Sequence, residues 1–305
     1  MKQKRSVHRS LNSTVNSDHS VESITATTKQ LKLVACIIVI AAIITQVIYK
    51  NTNTYNHGIL RSNQLHVINC STDSSASTPS NHMCGRLAID DYIDIDASSS
   101  LKYIIDSALE LSGGSGSCVS IYDIASGTVS MQHSFANIYK LAKYNHTNKL
   151  FNQTHMDVYN HVVDRIVHTI YDEFNVSKLY LTSPSFISRI TSLPALSLND
   201  EYWHTHIDTQ QYKSFVYTAL IYLNTHNHDY TGGEFIFEST SDNDVHLRVL
   251  PSTGKLLVFS SGAENPHHVN RVHDGVRYAM TIAFTNDPNK SINTSNITNT
   301  ININK

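Results

Sequence analysis

Between Leu33 and Tyr49 the chain reads LVACIIVIAAIITQVIY, 17 residues without a charge, and this run decides what the chain on either side of it can be. It lies at the short end of what spans a bilayer as a helix, and Leu31 extends it if Lys32 reaches back to the interface. A core helix of a soluble domain is rarely apolar on every side, and a cleaved leader has a shorter apolar stretch with a small-residue cleavage site. The run therefore reads as a transmembrane signal anchor, 33–49, behind a polar cytoplasmic segment, 1–32. Lys2, Lys4, Arg5, Arg9, Lys29 and Lys32 precede it, whereas only Lys50 and Arg61 follow closely. The positive-inside bias then gives a single-pass type II topology, with everything after residue 50 in the lumen of the endoplasmic reticulum or Golgi.

Lumenal chemistry follows as an expectation. Asn69, Asn145, Asn152, Asn175, Asn289, Asn293 and Asn296 head glycosylation sequons beyond the anchor. Cys36 falls inside the anchor, and Cys70, Cys84 and Cys118 allow one disulfide and one leftover thiol, with Cys70 to Cys84 the preferred pair. Lys and Arg number 23 against 25 Asp and Glu, so no cationic footprint for tracking phosphates exists and nucleic-acid binders are excluded.

Residues 50–85 are rich in Ser, Thr and Asn without periodicity and read as a stalk; the tail, 289–305, reads as disordered. A support region, 86–178, carries two helical patterns. Leu101, Ile104, Ile105, Ala108 and Leu109 recur at helical spacing, with Ser100 placed to cap and Gly113-Gly114 to stop. Val158, Tyr159, Val162, Val163, Ile166, Val167, Ile170 and Phe174 mark the second. From 179 to 288 the texture changes to short β-rich runs: KLYLT, YWHTHID, FVYTALIYLN, EFIFES, HLRVL, KLLVFS and RYAMTIAFT. Gly232-Gly233 and Pro251 to Gly254 punctuate them as turns. Helices followed by many strands give an α+β class, the helices buttressing an antiparallel sandwich or barrel.

The chemistry is carried by His206 and Asp208. On a strand, positions i and i+2 project from one face, so an imidazole and a carboxylate can meet one metal ion. A second His-x-Asp, His155 to Asp157, starts the second helix, where i and i+2 do not face each other, and is accidental. Fifty-nine residues after Asp208 comes His267, in Glu264-Asn-Pro-His, and ten further on comes Arg277. That interval is about the path through six strands and turns, enough to return His267 beside the first pair. Two histidines and one carboxylate on one side of a metal are the facial triad of a non-haem Fe(II) oxygenase. An arginine nearby suits a dicarboxylate cosubstrate held by a bidentate fork.

Through HID, YLN, TGGEFIF, LLVF, ENPHHV and GVRYAMTIAF, the stretch from His206 to Thr285 resembles the Fe(II)/2-oxoglutarate dioxygenase domain of the prolyl 4-hydroxylase type. LTSPSFISRI and EYWHTHID widen the likeness to about Leu181–Pro288. The resemblance implies a double-stranded β-helix, or jelly roll, with iron chelated by His206, Asp208 and His267, 2-oxoglutarate held by Arg277, and dependence on ascorbate. It selects His267 over its neighbours: His268 points to the opposite face if the segment is extended, and His273 sits in an expected turn before the last strand. Tyr222 of YLN matches a position where some relatives have a tyrosine against the cosubstrate; a packed strand tyrosine is the other reading. Trp203 and His204 flank the ligands, at the substrate mouth or in packing. Collagen-type prolyl hydroxylases commonly carry lysine where this chain has Arg277, which argues against collagen-proline specificity. The implied activity is hydroxylation of a protein or peptide side chain in the secretory pathway, with succinate and CO2 as coproducts. The competing readings are a catalytically silent binding ectodomain of the same fold and a histidine-rich metal buffer.

Overall fold

A computed structural model describes residues 58–71, 83–144, 150–240 and 246–292, together with position 40. The expected anchor, 33–49, lies outside the described residues apart from that position. Among the described residues no helix is long and apolar enough to cross a membrane.

In chain order the first strands are β1 (Gly58–Ile59), β2 (Gln64–Ile68), β3 (Cys84–Ile89), β4 (Val119–Asp123), β5 (Thr128–Met131) and β6 (Ser134–Asn137). Then come β7 (Tyr180–Thr191), β8 (Tyr217–Tyr222), β9 (Tyr230–Gly232) and β10 (Phe235–Phe237). β11 (Leu247–Val249), β12 (Leu256–Ser260), β13 (His267–Val269) and β14 (Val272–Thr285) complete the set. The helices are α1 (Ile95–Ser112), α2 (Ile138–Tyr144), α3 (Gln153–Phe174) and a single turn, α4 (Asp208–Gln211).

The larger sheet has the order β2-β3-β12-β8-β14-β7-β4-β5-β6, with β9 paired to the start of β14. The smaller runs β1-β11-β10-β13. The central strands β8 and β12 of the larger sheet are buried at every position because both faces are covered. Leu87, Ala219, Ile221, Leu256, Val258, Met280 and Ile282 pack on one face with Leu101, Ile104 and Ile105 of α1 and Met156, Val162 and Ile166 of α3. Their chain neighbours Ala88, Leu220, Tyr222, Leu257, Phe259 and Ala279 point the other way, against Phe235, Phe237 and Val249 of the smaller sheet. Two facing sheets, antiparallel except for the β1–β11 pair, with helices behind the larger one are consistent with the expected jelly roll.

Several expectations change in detail. Asp94, not Ser100, caps α1: its carboxylate accepts the Ala97 N–H at 2.7 Å, so the helix begins before the apolar stripe that signalled it. Gly113 closes α1 at φ 82°, as expected. The segment read as a stalk contains β1 and β2, because QLHVI finds an antiparallel partner in β3 along Gln64–Ala88 to Ile68–Cys84. The support region supplies β4, β5 and β6 to the same sheet as the oxygenase stretch. YWHTHID is not a strand, whereas the strand begun at KLYLT continues as β7 to Thr191.

Cys70 and Cys84 form the disulfide, with Cα atoms 5.2 Å apart, and Cys118 is buried as a free thiol. The bridge closes a loop 14 residues long between β2 and β3. By loop-closure entropy such a link stabilises the fold by about 2–4 kcal/mol. Replacing both cysteines by serine should lower the unfolding free energy measured by urea titration by that amount, and reduction of the wild type should reproduce the loss.

Candidate metal centre and its basic pocket

His206 and His267 are 61 residues apart in the chain, yet they face each other across an isolated antiparallel bridge. Each donates its backbone N–H to the other's carbonyl at 2.9 Å. The imidazole centroids lie 4.3 Å apart. Asp208 arrives from the other direction. It opens α4, so its carboxylate reaches the histidines from a helical turn and not from the strand face that the His-x-Asp spacing suggested. Oδ1 of Asp208 lies 3.6 Å from Nε2 of His206 and 3.6 Å from Nε2 of His267. One ligand atom of each residue falls within 4.8 Å of the other two.

The three side chains are prepared to donate lone pairs. His206 Nδ1 is 3.1 Å from the carbonyl of His204, and His267 Nδ1 is 2.9 Å from the carbonyl of Asn265. A ring that gives its Nδ1–H to a carbonyl carries the lone pair on Nε2, the atom turned inward. His267 is 4 % exposed, and burial pulls its pKa down to about 4, against the raising effect of Asp208, so the ring is neutral at physiological pH. The other oxygen of Asp208 accepts a short hydrogen bond from the Thr218 hydroxyl, itself 2.9 Å from the Ser261 hydroxyl. Two imidazoles and a carboxylate converging on one point suit Fe(II).

Behind His267 stands a longer chain of support. Arg86 of β3, 5 % exposed, donates Nε to the Asn265 side-chain oxygen at 2.6 Å and Nη2 to the Glu264 carbonyl at 3.2 Å. Its guanidinium covers the Phe237 ring at 4.4 Å. Asn265 in turn donates to the Ser260 carbonyl at 2.8 Å at the end of β12. The loop carrying His267 is thereby tied to two strands of the larger sheet.

Arg277 lies on β14, 2 % exposed, with Nε donating to the Gly233 carbonyl at 3.0 Å. Its position is fixed by Asn224 of YLN, which donates to the Val276 carbonyl at 2.6 Å and accepts the Tyr278 N–H at 2.9 Å, clamping the backbone on both sides. Gly233 has φ +70°, and a Cβ there would meet Arg277 Cδ at 2.9 Å, so only glycine lets the guanidinium lie against this turn. Tyr222 is fully buried with its ring centroid 5.4 Å from the guanidinium carbon. Nη2 of Arg277 and the hydroxyls of Tyr222 and Tyr230 are buried without a hydrogen-bond partner. Orphaned donors around a buried cation fit a carboxylate. The site thus suits 2-oxoglutarate as well as iron.

The competing histidines turn away. His268 puts Nδ1 2.7 Å from Glu238 and Nε2 3.1 Å from Asn270, on the opposite face from His267 as expected. His273 is exposed and already within β14, beside a bulge in its pairing with β9; the turn lies before Val272. His155 serves a helix cap with Asn152, confirming that its His-x-Asp spacing is accidental. Trp203 is stacked under the Arg271 guanidinium at 3.6 Å and touches Tyr202 edge-on at 5.3 Å, while His204 is exposed and paired with Glu201. Thr218, Ser261, Arg86 and Asn265 escaped the sequence reading, because nothing local marks a residue that acts through another; Tyr230 escaped it too.

Residues 195–285 match the model of the 2OG-Fe(II) oxygenase superfamily. The chain belongs to that family, and its domain is that of a 2-oxoglutarate-dependent dioxygenase with iron and 2-oxoglutarate as cofactors. Among curated proteins it is 39 % identical over 219 residues to 2-oxoglutarate and iron-dependent oxygenase domain-containing protein 3 of Xenopus tropicalis, covering 71 % of this chain and 67 % of that protein. It is 44 % identical over 72 residues to prolyl 3-hydroxylase 2 of Gallus gallus, 24 % of this chain and 10 % of that protein. Among solved structures it is similar to a prolyl hydroxylase in complex with a hypoxia inducible factor peptide fragment from Trichoplax adhaerens, at a TM-score of 0.44 and 16 % identity, over 68 % of this chain and 84 % of that one. The chain spans about two thirds of the length of the first of these relatives.

Partners that orient a metal-bound histidine typically change metal affinity ten- to a hundredfold when removed. Arg86→Met should therefore weaken Mn(II) binding by about tenfold or more, read by titration calorimetry, with the far-UV circular dichroism unchanged.

Proposed function

We propose that the protein is a membrane-anchored dioxygenase that hydroxylates a protein or peptide side chain, using Fe(II), 2-oxoglutarate and O2 and releasing succinate and CO2. The observation that carries this reading is the convergence of His206, Asp208 and His267 on one point, together with a buried arginine, Arg277, flanked by polar atoms without hydrogen-bond partners. Iron, when bound, would activate O2, and 2-oxoglutarate, on conversion to succinate and CO2, would supply two of the four electrons that O2 takes up, the other two coming from the C–H bond that becomes C–OH. The chain's own part is positioning. His206, Asp208 and His267 hold the metal through Nε2, Oδ1 and Nε2. Arg277 and Tyr222 take the distal carboxylate of the cosubstrate, fixing which end turns toward the metal. Phe235, Phe237 and Phe259 pack around the His267 ring and keep water from its buried side. Ascorbate fits this class as the reductant that keeps the iron ferrous between turnovers.

The substrate is read as a polypeptide because the relatives include prolyl 3-hydroxylase 2. Lumenal placement is supported by the uncharged run at 33–49, the basic excess before it, the Cys70–Cys84 bridge, and exposed sequon asparagines such as Asn69 and Asn175. Glycosidase treatment of the expressed chain should increase its mobility, and protease added to intact microsomes should spare the part after residue 50. Digestion of that part would reverse the topology.

Purified protein given Fe(II), ascorbate and 2-oxoglutarate should form succinate. Arg277→Leu should raise the 2-oxoglutarate requirement roughly ten- to a hundredfold, the worth of one charge-assisted hydrogen bond, while Mn(II) binding holds. An unchanged requirement removes Arg277 from the cosubstrate pocket.

A further inference from the structure

Tyr230 opens β9 and is 3 % exposed, although a phenol at the start of a three-residue edge strand has every opportunity to reach water. Two glycines hold it inside. Gly275, its partner on β14, has φ +77°, and a Cβ there would meet Tyr230 Cα at 2.8 Å. A Cβ on Gly233 would meet the Tyr230 ring at 3.0 Å and Arg277 at 2.9 Å. The space left by Gly233 thus adjoins both the Tyr230 ring and the Arg277 side chain, and the ring of His226 lies edge-on to Tyr230 at 6.0 Å. Arg277 has committed Nε to the Gly233 carbonyl, which leaves Nη2 as its buried donor without a partner. A carboxylate offers about four lone-pair sites, more than that nitrogen and the Tyr222 hydroxyl fill together. The Tyr230 hydroxyl is the remaining orphaned donor beside the same cation. Burial pushes its pKa up to about 12, so the phenol keeps its proton and can donate.

We propose that Tyr230 is a second tyrosine donor to the distal carboxylate of the cosubstrate, and that its hydroxyl sharpens selection for a 2-oxo acid that carries that carboxylate. The proposal rests on the assignment of Arg277 to 2-oxoglutarate. It gives the short β9 a purpose that sheet pairing alone does not: the strand delivers a hydroxyl to the floor of the pocket.

The test uses the Mn(II)-loaded full chain, so that no turnover intervenes, and calorimetric titration with 2-oxoglutarate and with 2-oxobutyrate, which lacks the distal carboxylate. Tyr230→Phe keeps the ring and removes only the hydroxyl. The expected result is a loss of roughly three- to tenfold in 2-oxoglutarate affinity, the size of one hydrogen bond, with Mn(II) and 2-oxobutyrate affinities unchanged. Unchanged 2-oxoglutarate affinity, or equal losses for both acids, overturns the role of Tyr230 while leaving the pocket assignment intact. If the wild type prefers neither acid, the pocket assignment itself fails and this inference falls with it.

Discussion

Two backbone hydrogen bonds, exchanged between His206 and His267 at 2.9 Å, hold the rest of the site in register. They join the segment after β7 to the start of β13, and they place two imidazoles side by side, their centroids 4.3 Å apart. Shifting this pairing by one residue would bring His268 inward and send His267 toward Glu238, because successive side chains of an extended segment alternate. The pairing is in turn fixed from behind. Arg86 and Asn265 tether the loop before His267 to β3 and β12, and Thr218 with Ser261 hold Asp208 from β8 and the end of β12. The larger sheet is therefore a mounting for ligands as well as a core.

That mounting is stiff because it is covered twice. One face carries α1 and α3 and the other faces the smaller sheet, so each central strand is packed on both sides. Arg277 sits on the longest strand of that sheet, with its backbone clamped by Asn224 on either side. The candidate iron ligands and Arg277 are thus carried by elements packed into or tied to the same sheet. Positioning of this kind is the protein's share of the work in the proposed reaction, whose oxidant is O2.

Much of this was readable in the chain. Helical stripes marked α1 and α3, and the order His206, Asp208, His267, Arg277 marked the site, because both are patterns of residue type at fixed spacing. What escaped had physical reasons. Strands of two or three residues such as β1, β9 and β13 leave too few positions for an alternation to show. β4 and β5 pair in a sheet although Ser and Thr interrupt their apolar positions, and tertiary pairing decides there. His206 and Asp208 were found for a reason that the structure corrects, since Asp208 reaches the metal position from a helical turn. Arg86 lies 179 residues from the Asn265 it supports, a relation no local pattern carries.

Diffraction at the iron absorption edge, from crystals of the chain loaded anaerobically with Fe(II) and 2-oxoglutarate, tests the central claim most directly. The account expects a single anomalous peak bonded to Nε2 of His206, Oδ1 of Asp208 and Nε2 of His267, with the cosubstrate's far carboxylate against Arg277. A peak held instead by the neighbouring group of Glu238, His246 and His268, or a cosubstrate turned away from Arg277, would contradict it.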